Sequence, residues 1–184
     1  MKTSEKPYHA VQFYKDQVSL AGTVAQFLAE GFRNGHPGIV FATPAHAESI
    51  SRGLANLGLD VAALQTSGDL LFCDAHKTLA SFMMAGLPDP LQFKTSVGGI
   101  IEDLCGARHP CPVRAYGELV DVLSQDSHCD AAIKLEILWN QLAADHQFSL
   151  LCGYAFGHFY KETRDSRYQE VCDHHSHVVI PVGA

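Results

Sequence analysis

The chain contains 184 residues, of which 47% are hydrophobic and 18% are charged, and its formal net charge is −7. This length fits one domain, covering residues 1–184, that buries a substantial core, and the composition excludes a disordered chain. Because the chain is acidic and has no basic stripe, nucleic-acid binding is not expected. No apolar run reaches the roughly 18 residues that span a bilayer, and the first residues show no signal region, so a cytoplasmic protein without a membrane segment is expected.

The first 46 residues predict a complete βαβ unit. The stretch HAVQFY, residues 9–14, is typical of a short strand, and apolar residues then recur at helical spacing from Leu20 to Phe32. Ser19 is the predicted N-cap of this helix, because its hydroxyl can accept a hydrogen bond from a free backbone N–H. Residues 38–43, GIVFAT, form a continuous apolar run that is typical of a parallel strand buried on both faces.

The turn between the first strand and its helix, residues 14–19, lacks the chemistry of a phosphate-binding loop. Such a loop needs glycines that let backbone N–H groups approach the phosphates, a lysine, and a hydroxyl for Mg²⁺. The turn contains no glycine, Lys15 lies too early, and Ser19 lacks the preceding Gly-Lys pair. Nucleotide hydrolysis is therefore not expected, and the chain is predicted not to be an enzyme. Two interpretations fit this segment: a polar or anionic ligand at the partly positive helix N-terminus, or an ordinary βα turn.

Strands and helices continue to alternate along the rest of the chain. Further strands are predicted at residues 70–74, 113–116 and 148–156, and a short extended piece closes the chain. Further helices are predicted at residues 44–58, 76–86, 91–105, 119–123, 129–146 and 164–173. This alternation predicts an α/β fold in which three α/β/α layers are built around a mainly parallel central sheet.

The carboxyl ends of parallel strands are where such sheets bind ligands, so the candidate site lies there. The candidate ligand-binding residues are Phe13, Tyr14, Ser19, Thr43, His46, Tyr116, Glu118, Trp139 and Tyr154. The aromatic members could line a pocket for an apolar ligand, although the helical spacing of Trp139 equally fits a core residue. If Glu118 is buried it must be paired or protonated. A structural ion pair with Arg114 or Arg52 is the alternative to a ligand contact.

The histidines and cysteines raise the question of a metal or redox site. His9 begins the first strand and His46 follows the second, so the two are expected at opposite edges of the sheet and not in one site. Possible soft ligands cluster near the C-terminus, at Cys172, His174, His175 and His177, with Cys152 or His158 as partners if the fold brings them near. The spacing is not a recognised zinc pattern, so neither a metal nor another cofactor is predicted. The six cysteines form no CxxC pair and are expected to be reduced thiols.

Seven sequence blocks, in order, resemble a known family. HAVQFY, VAQFLAEGFRNG and VFATPAH are similar to the opening of the MEDS domain, named for methanogen and methylotroph sensory proteins of the DcmR type. RAYGELVDVL, LEILWNQL, FSLLCGYAFGHF and VCDHHSHVV are similar to the later blocks of that family. The resemblance covers nearly the whole chain, and it implies a fold related to the RecA and KaiC ATPases.

The resemblance also implies a function. It implies a sensory, signal-transducing domain that binds a small molecule, with hydrocarbon derivatives as the proposed ligands. The signal would pass to a separate histidine kinase or transcription regulator, or through a homo-oligomer, because no kinase or DNA-binding domain is attached. Two alternatives stay open. One is a degenerate KaiC-like nucleotide-binding protein or ATPase, in which Glu118 would position water or Mg²⁺. The other is a metal- or redox-responsive switch built on the C-terminal Cys/His cluster.

Overall fold

The computed structural model describes residues 7–155 and 166–179. The strands are β1 (His9–Tyr14), β2 (Gly38–Ala42), β3 (Leu70–Asp74), β4 (Met83–Met84), β5 (Leu87–Pro88), β6 (Val113–Gly117), β7 (Phe148–Ala155) and β8 (His177–Val179). The helices are α1 (Gln17–Arg33), α2 (Pro44–Asn56), α3 (Val61–Thr66), α4 (Ala75–Phe82), α5 (Pro90–Phe93), α6 (Gly99–Cys105), α7 (Leu119–Gln125), α8 (Cys129–Asp145) and α9 (Ser166–Asp173). A π-helical turn, Lys94–Gly98, joins α5 to α6. None of the helices in these residues combines the length and the apolar character that crossing a membrane requires.

In the described part of the chain, six parallel strands form the central sheet, in the order β3-β2-β6-β7-β1-β8. A separate antiparallel hairpin consists of β4 and β5. The loops that follow β1, β2 and β6 lie at one edge, together with the last residue of β7, because parallel strands all end on the same side of a sheet. The predicted α/β fold with a parallel central sheet is confirmed.

The sheet carries an apolar core on each face, because successive strand residues point to opposite faces. On one face, Val40 and Tyr116 pack with apolar residues of α1 and α2. On the other face, Ile39 and Cys152 pack with apolar residues of α4, α6, α7 and α8. Every residue of β1, β2 and β6 is buried, which explains why these strands are recognisable as apolar runs.

Residues 76–105 differ from the two predicted helices. The first ends at Phe82, and a two-residue turn, Ala85-Gly86, then connects β4 to β5. Both turn residues have positive φ angles, 50° and 83°, as in the tight turns that join hairpin strands. The second predicted helix is divided by the π-helical turn. Phe93, Val97 and Ile101 stay buried across that turn, so their four-residue spacing looked like one continuous helix.

A disulfide links Cys105 and Cys111, so the expectation of reduced thiols is wrong for this pair. The chain reverses just after α6 at Gly106, which has a φ of 52°. This reversal leaves the two Cα atoms 5.8 Å apart, within the range that a disulfide needs. Cys73 and Cys152 are free thiols.

Candidate functional site

Glu118 follows β6 at the point where the sheet changes the face on which its helices lie. β2 leads into α2 on one face, and its neighbour β6 leads into α7 on the other. Ligands in open α/β sheets bind at such a topological switch point. Glu118 is 1% exposed. Its Oε1 accepts a hydrogen bond from the N–H of Thr43 at 2.5 Å, so Glu118 ties the start of α7 to the loop after β2.

The second carboxylate oxygen of Glu118 faces two polar side chains. The Nδ1 atom of His46 lies 2.5 Å from Oε2. The hydroxyl of Tyr116 donates to the same oxygen at 3.1 Å. A buried Glu118 was predicted to be paired or protonated; it is paired, and its partner is a histidine.

The two arginines named as alternative partners of Glu118 make other contacts, so the structure does not bear out that alternative. Arg114 lies near the start of β6, at the other end of the strand, and donates to the hydroxyl of Tyr8 at 2.8 Å. Arg52 is exposed on α2 and lies 3.4 Å from the hydroxyl of Ser49. Arg114 therefore lies at the far end of β6 from Glu118, and the contact of Arg52 stays within α2.

Asp121, in the first turn of α7, is a second buried carboxylate that sequence reasoning missed. It is 1% exposed. It accepts hydrogen bonds from the hydroxyl of Tyr14 at 2.7 Å, the amide of Gln125 at 2.8 Å and the N–H of Ala155 at 2.9 Å. The ring of Tyr14 also lies edge-on to that of His46, with the ring centres 5.9 Å apart. The available signal was a lone carboxylate inside the apolar run LVDVL.

These contacts define what we call the carboxyl-edge cluster, which consists of Tyr14, His46, Tyr116, Glu118 and Asp121. The hydrogen bond to Glu118, opposed in part by burial, raises the pKa of His46 and favours a charged imidazolium–carboxylate pair. Burial raises the pKa of Asp121 and holds it closer to its neutral form. Burial also raises the pKa of Tyr116, whose hydroxyl therefore stays a hydrogen-bond donor.

The turn after β1 does not offer an open anion site. Asp16 is the N-cap of α1: its Oδ1 accepts from the N–H of Ser19 at 2.8 Å and its Oδ2 from the Ser19 hydroxyl at 2.9 Å. The prediction that Ser19 is the cap is wrong. The carboxylate of Asp16, three residues earlier, accepts the hydrogen bond of the free N–H and lies at the partly positive end of the helix. A phosphate at this helix end would be repelled by the carboxylate that already lies there.

The predicted ligand-binding residues do not all come together. Those that meet at the carboxyl edge are Tyr14, Thr43, His46, Tyr116 and Glu118. The other aromatic candidates lie in the core on the sheet face covered by α4, α6, α7 and α8: Phe13, Trp139 and Tyr154. There, Trp139 packs edge-on against Phe93, with ring centres 5.1 Å apart. Phe13 and Tyr14 are separated by the pleat of the strand, because neighbouring residues point to opposite faces.

A second polar cluster lies in the core beside α8, and we call it the interior cluster. It consists of His9 on β1, Glu136 on α8, Cys152 on β7 and His175 after α9, whose nitrogen, oxygen and sulfur atoms all lie within 4.8 Å of one another. The Nε2 atom of His9 is 3.2 Å from the Cys152 sulfur and 3.3 Å from Oε2 of Glu136. The Nε2 atom of His175 is 3.5 Å from Oε1 of Glu136. The Tyr154 hydroxyl donates to that same oxygen at 2.9 Å.

Of the four residues in the predicted C-terminal Cys/His cluster, only His175 belongs to the interior cluster. The ring of His177 is exposed and packs against that of Tyr8, with ring centres 5.4 Å apart. His158 lies outside the described residues. The prediction that His9 and His46 lie in separate places is confirmed, since each belongs to a different cluster. Burial lowers the pKa of His175 and raises that of the Cys152 thiol.

Two cavities flank β1 and the C-terminal segment. One of about 670 Å³ lies between β1, α1 and β8 and includes Phe27 and Leu151 in its wall. Another of about 450 Å³ lies between α8 and residues 173–176 and reaches His9 and His175. Both volumes fall within the range of small-molecule sites.

Comparisons with known proteins agree with this architecture. The fold is similar to that of a KaiC-like protein from the hyperthermophilic archaeon Pyrococcus horikoshii OT3, with a TM-score of 0.60 and 15% sequence identity over 94% of this chain and 71% of that chain. This likeness confirms the RecA/KaiC-like fold and concerns the fold alone. No curated protein matches the chain. The model of the MEDS family, described as the methanogen/methylotroph, DcmR sensory domain, matches residues 8–175, and the chain therefore belongs to the MEDS family of sensory domains.

Proposed function

We propose that this domain senses a small molecule at the carboxyl-edge cluster and does not chemically transform it. Membership of the MEDS family supports a sensory role. The observation that carries the site is the buried His46–Glu118 pair at the switch point between β2 and β6. A buried ion pair adds little net stability compared with apolar packing. Groups with shifted pKa values, in contrast, concentrate at functional sites.

The outer members of the cluster are the ones a ligand would meet first. His46 is 8% exposed and Tyr14 is 7% exposed, whereas Glu118 is 1% exposed. Within the described residues, the Nε2 atom of His46 has no hydrogen-bond partner. A small molecule with a carbonyl or hydroxyl group could bond to this nitrogen and place its apolar part against the ring of Tyr14. A hydrocarbon derivative of this type fits the proposal.

The position of Glu118 supplies a route for the signal. Its carboxylate links the loop after β2 to the start of α7, and a ligand that draws His46 away weakens that link. The ligand then shifts the population toward a second conformation. The outputs we propose are contact with a separate histidine kinase or transcription regulator, or a homo-oligomer. Val178 and Val179, 40% and 41% exposed on the outer strand β8, offer an apolar edge for such a contact.

Isothermal titration calorimetry tests the ligand proposal. The purified chain is titrated with small alcohols, ketones, amides and carboxylic acids, and with Mg-ATP in a separate arm. We expect one of the small-molecule classes to bind, and we expect His46→Gln to weaken that binding about tenfold or more through the lost hydrogen bond. The matched control is His76→Gln, an exposed histidine on α4, which should bind as the wild type does.

Two outcomes would contradict the proposal. If every small-molecule class fails to bind while a protein partner binds, the domain is an interaction module and not a sensor. If Mg-ATP is hydrolysed and Glu118→Gln abolishes the hydrolysis, the nucleotide alternative holds, in spite of the carboxylate of Asp16 at the start of α1.

A further inference from the structure

The interior cluster shares no residue with the carboxyl-edge cluster. We propose that it binds one divalent transition-metal ion, with Zn²⁺ as the best match, in a closed site with four protein ligands. The cluster supplies two imidazole nitrogens, one sulfur and one carboxylate oxygen, all of which are zinc ligands in proteins. This inference is independent of the ligand proposed above, so either can fail without the other.

The separations between the ligand atoms match a tetrahedral site. Zinc bonds of about 2.0–2.3 Å place neighbouring ligand atoms about 3.3–3.8 Å apart at the tetrahedral angle. In the interior cluster, the Nε2 of His9 lies 3.2 Å from the Cys152 sulfur and 3.3 Å from a Glu136 oxygen. The Cys152 sulfur lies 3.8 Å from that oxygen, and the Nε2 of His175 lies 3.5 Å from the other one. The ligand atoms of His9, Glu136 and Cys152 are therefore already spaced for one ion, and His175, within 4.8 Å of the other three groups, completes the set.

Hydrogen bonds outside the cluster orient both imidazole rings. The Nδ1 of His9 lies 3.0 Å from Oδ1 of Asn140, and the Nδ1 of His175 lies 2.6 Å from the carbonyl of Val171. Asn140 is itself oriented, because its amide donates to the carbonyl of His174 at 3.1 Å. Since both partners are acceptors, each Nδ1 holds the proton of the neutral imidazole, and in that form each Nε2 turns its lone pair toward the cluster. Metal-binding histidines are commonly oriented in this way.

The cluster has more acceptors than donors. The Nε2 of His175 is buried and makes no hydrogen bond with any residue that the structure describes. Among the residues that the structure describes, the strong donor to the fully buried Glu136 is the hydroxyl of Tyr154. An unpaired buried nitrogen of this kind calls for a partner. A dication held by one carboxylate, one thiolate and two neutral imidazoles gives a site of zero net charge, which avoids the cost of burying an isolated charge.

The four ligands come from separate parts of the chain, so the ion would fasten the C-terminal segment to the core. His175 lies in the turn between α9 and β8, and the next residue, Ser176, donates its N–H to the carbonyl of His9 at 2.7 Å. Metal binding is thereby coupled to the docking of β8. The cavity of about 450 Å³ that reaches both histidines provides an entry path for the ion.

Elemental analysis of the purified full chain, prepared under reducing conditions without a histidine tag, tests the proposal. We expect about one zinc per chain. After the zinc is removed with a chelator, Co²⁺ should give the thiolate charge-transfer band and the visible bands of a four-coordinate ion. Cys152→Ser should abolish the charge-transfer band. Cys73→Ser, which changes a partly buried free thiol on β3, should leave the band in place.

Histidine and asparagine variants locate the ion. His175→Gln should lower the zinc content at least tenfold, whereas the neighbouring variant His174→Gln should keep it. Asn140 is exposed, so Asn140→Ala should fold normally, and it should weaken zinc affinity by about 10–100-fold because it releases the ring of His9.

Two results would overturn the proposal. The first is a wild-type protein that contains no zinc after growth with added zinc and gives no cobalt spectrum. The second is zinc that survives His175→Gln but is lost in His174→Gln, because the ion would then lie outside the interior cluster. If the buried variants do not fold, the cobalt titration of the wild type and the affinity of Asn140→Ala decide the question.

Discussion

Two polar clusters are buried beside one sheet, and they differ in how their acceptors are satisfied. In the carboxyl-edge cluster, Glu118 and Asp121 each lie within hydrogen-bonding distance of three donor groups. In the interior cluster, His9 and His175 turn their Nδ1 atoms outward, to acceptors, and the Tyr154 hydroxyl is the one strong donor to Glu136 in the described part of the chain. Burial is similar in the two places, but the balance of donors and acceptors is not.

This difference indicates what each cluster needs in order to be complete. The protein alone satisfies both carboxylates of the carboxyl-edge cluster, which can therefore link two loops and respond to a ligand that competes for one of its hydrogen bonds. With both imidazoles neutral, the interior cluster has no positive charge of its own, and the proposed ion would supply one. A buried polar network is favourable only when all its members are satisfied, so an acceptor-rich network is a better indicator of a bound cation than burial or residue type alone.

The largest effect is expected from the removal of the Glu118 carboxylate. Glu118→Ala leaves His46, the hydroxyl of Tyr116 and the N–H of Thr43 without their acceptor. The free energy of unfolding, measured by urea denaturation, should fall by about 3–5 kcal/mol, because breaking a buried pair leaves its partner uncompensated. Glu118→Gln keeps the shape of the side chain and one acceptor oxygen, so its free energy of unfolding should fall by less than that of Glu118→Ala.

The control for this experiment is Glu102→Ala. The side chain of Glu102 is 70% exposed, and its removal should change the free energy of unfolding by no more than about 0.5 kcal/mol. If Glu118→Ala behaves like this surface variant, the protein does not depend on the network, and the contrast between the two clusters disappears.

A smaller loss of stability is expected when Gly153 on β7, which packs against Tyr116, is replaced by a larger residue. A Cβ atom at Gly153 would lie 2.6 Å from the hydroxyl oxygen of Tyr116, so Gly153→Ala must displace a group that donates to Glu118. We expect a loss of about 1–3 kcal/mol from such overpacking. Gly22, exposed on α1, has no atom within 4 Å of the corresponding position. Gly22→Ala should stabilise the protein by about 0.5–1 kcal/mol, because alanine is the better helix former.

The two glycine variants are compared by urea denaturation under identical conditions. Changes of opposite sign would agree with the geometry around Tyr116. Changes of the same sign would mean that Tyr116 can move without cost, and that its hydrogen bond to Glu118 contributes little to the carboxyl-edge cluster.

The scaffold and one of the clusters could largely be predicted from the sequence. Strands buried on both faces appear directly as apolar runs, and a residue that follows such a strand must lie at the carboxyl edge. That reasoning placed His46 and Glu118 at the same edge, where they form a pair. It did not identify Asp121 or the partner of Glu118, because side-chain direction inside a helix and around a turn is not encoded by spacing along the chain.

The interior cluster could not be predicted in the same way. Its members come from the start of one strand, the middle of another, a helix and a turn, and the strand order β7-β1-β8 is what brings them together. The histidines that are close in sequence, near the C-terminus, gave a misleading signal, since His175 turns inward and His177 is exposed. Residues that are far apart in the sequence contact one another in the fold, and the sequence pattern alone does not indicate these contacts.

The smallest expected effect is the pH dependence of the His46–Glu118 pair. Folding raises the pKa of His46 above its ordinary value of 6.5, chiefly through the hydrogen bond to Glu118. The stability that the pair contributes is therefore fully present below about pH 6.5 and is lost as the pH rises through the higher pKa of the folded state. The difference in free energy of unfolding between wild type and His46→Gln should shrink from about pH 6 to pH 9.

The corresponding difference in free energy of unfolding for His76→Gln, on the surface of α4, should not change with pH. A difference for His46→Gln that stays constant or grows with pH would mean that the imidazole is neutral, and the carboxyl-edge cluster would then lack an internal cation just as the interior cluster does.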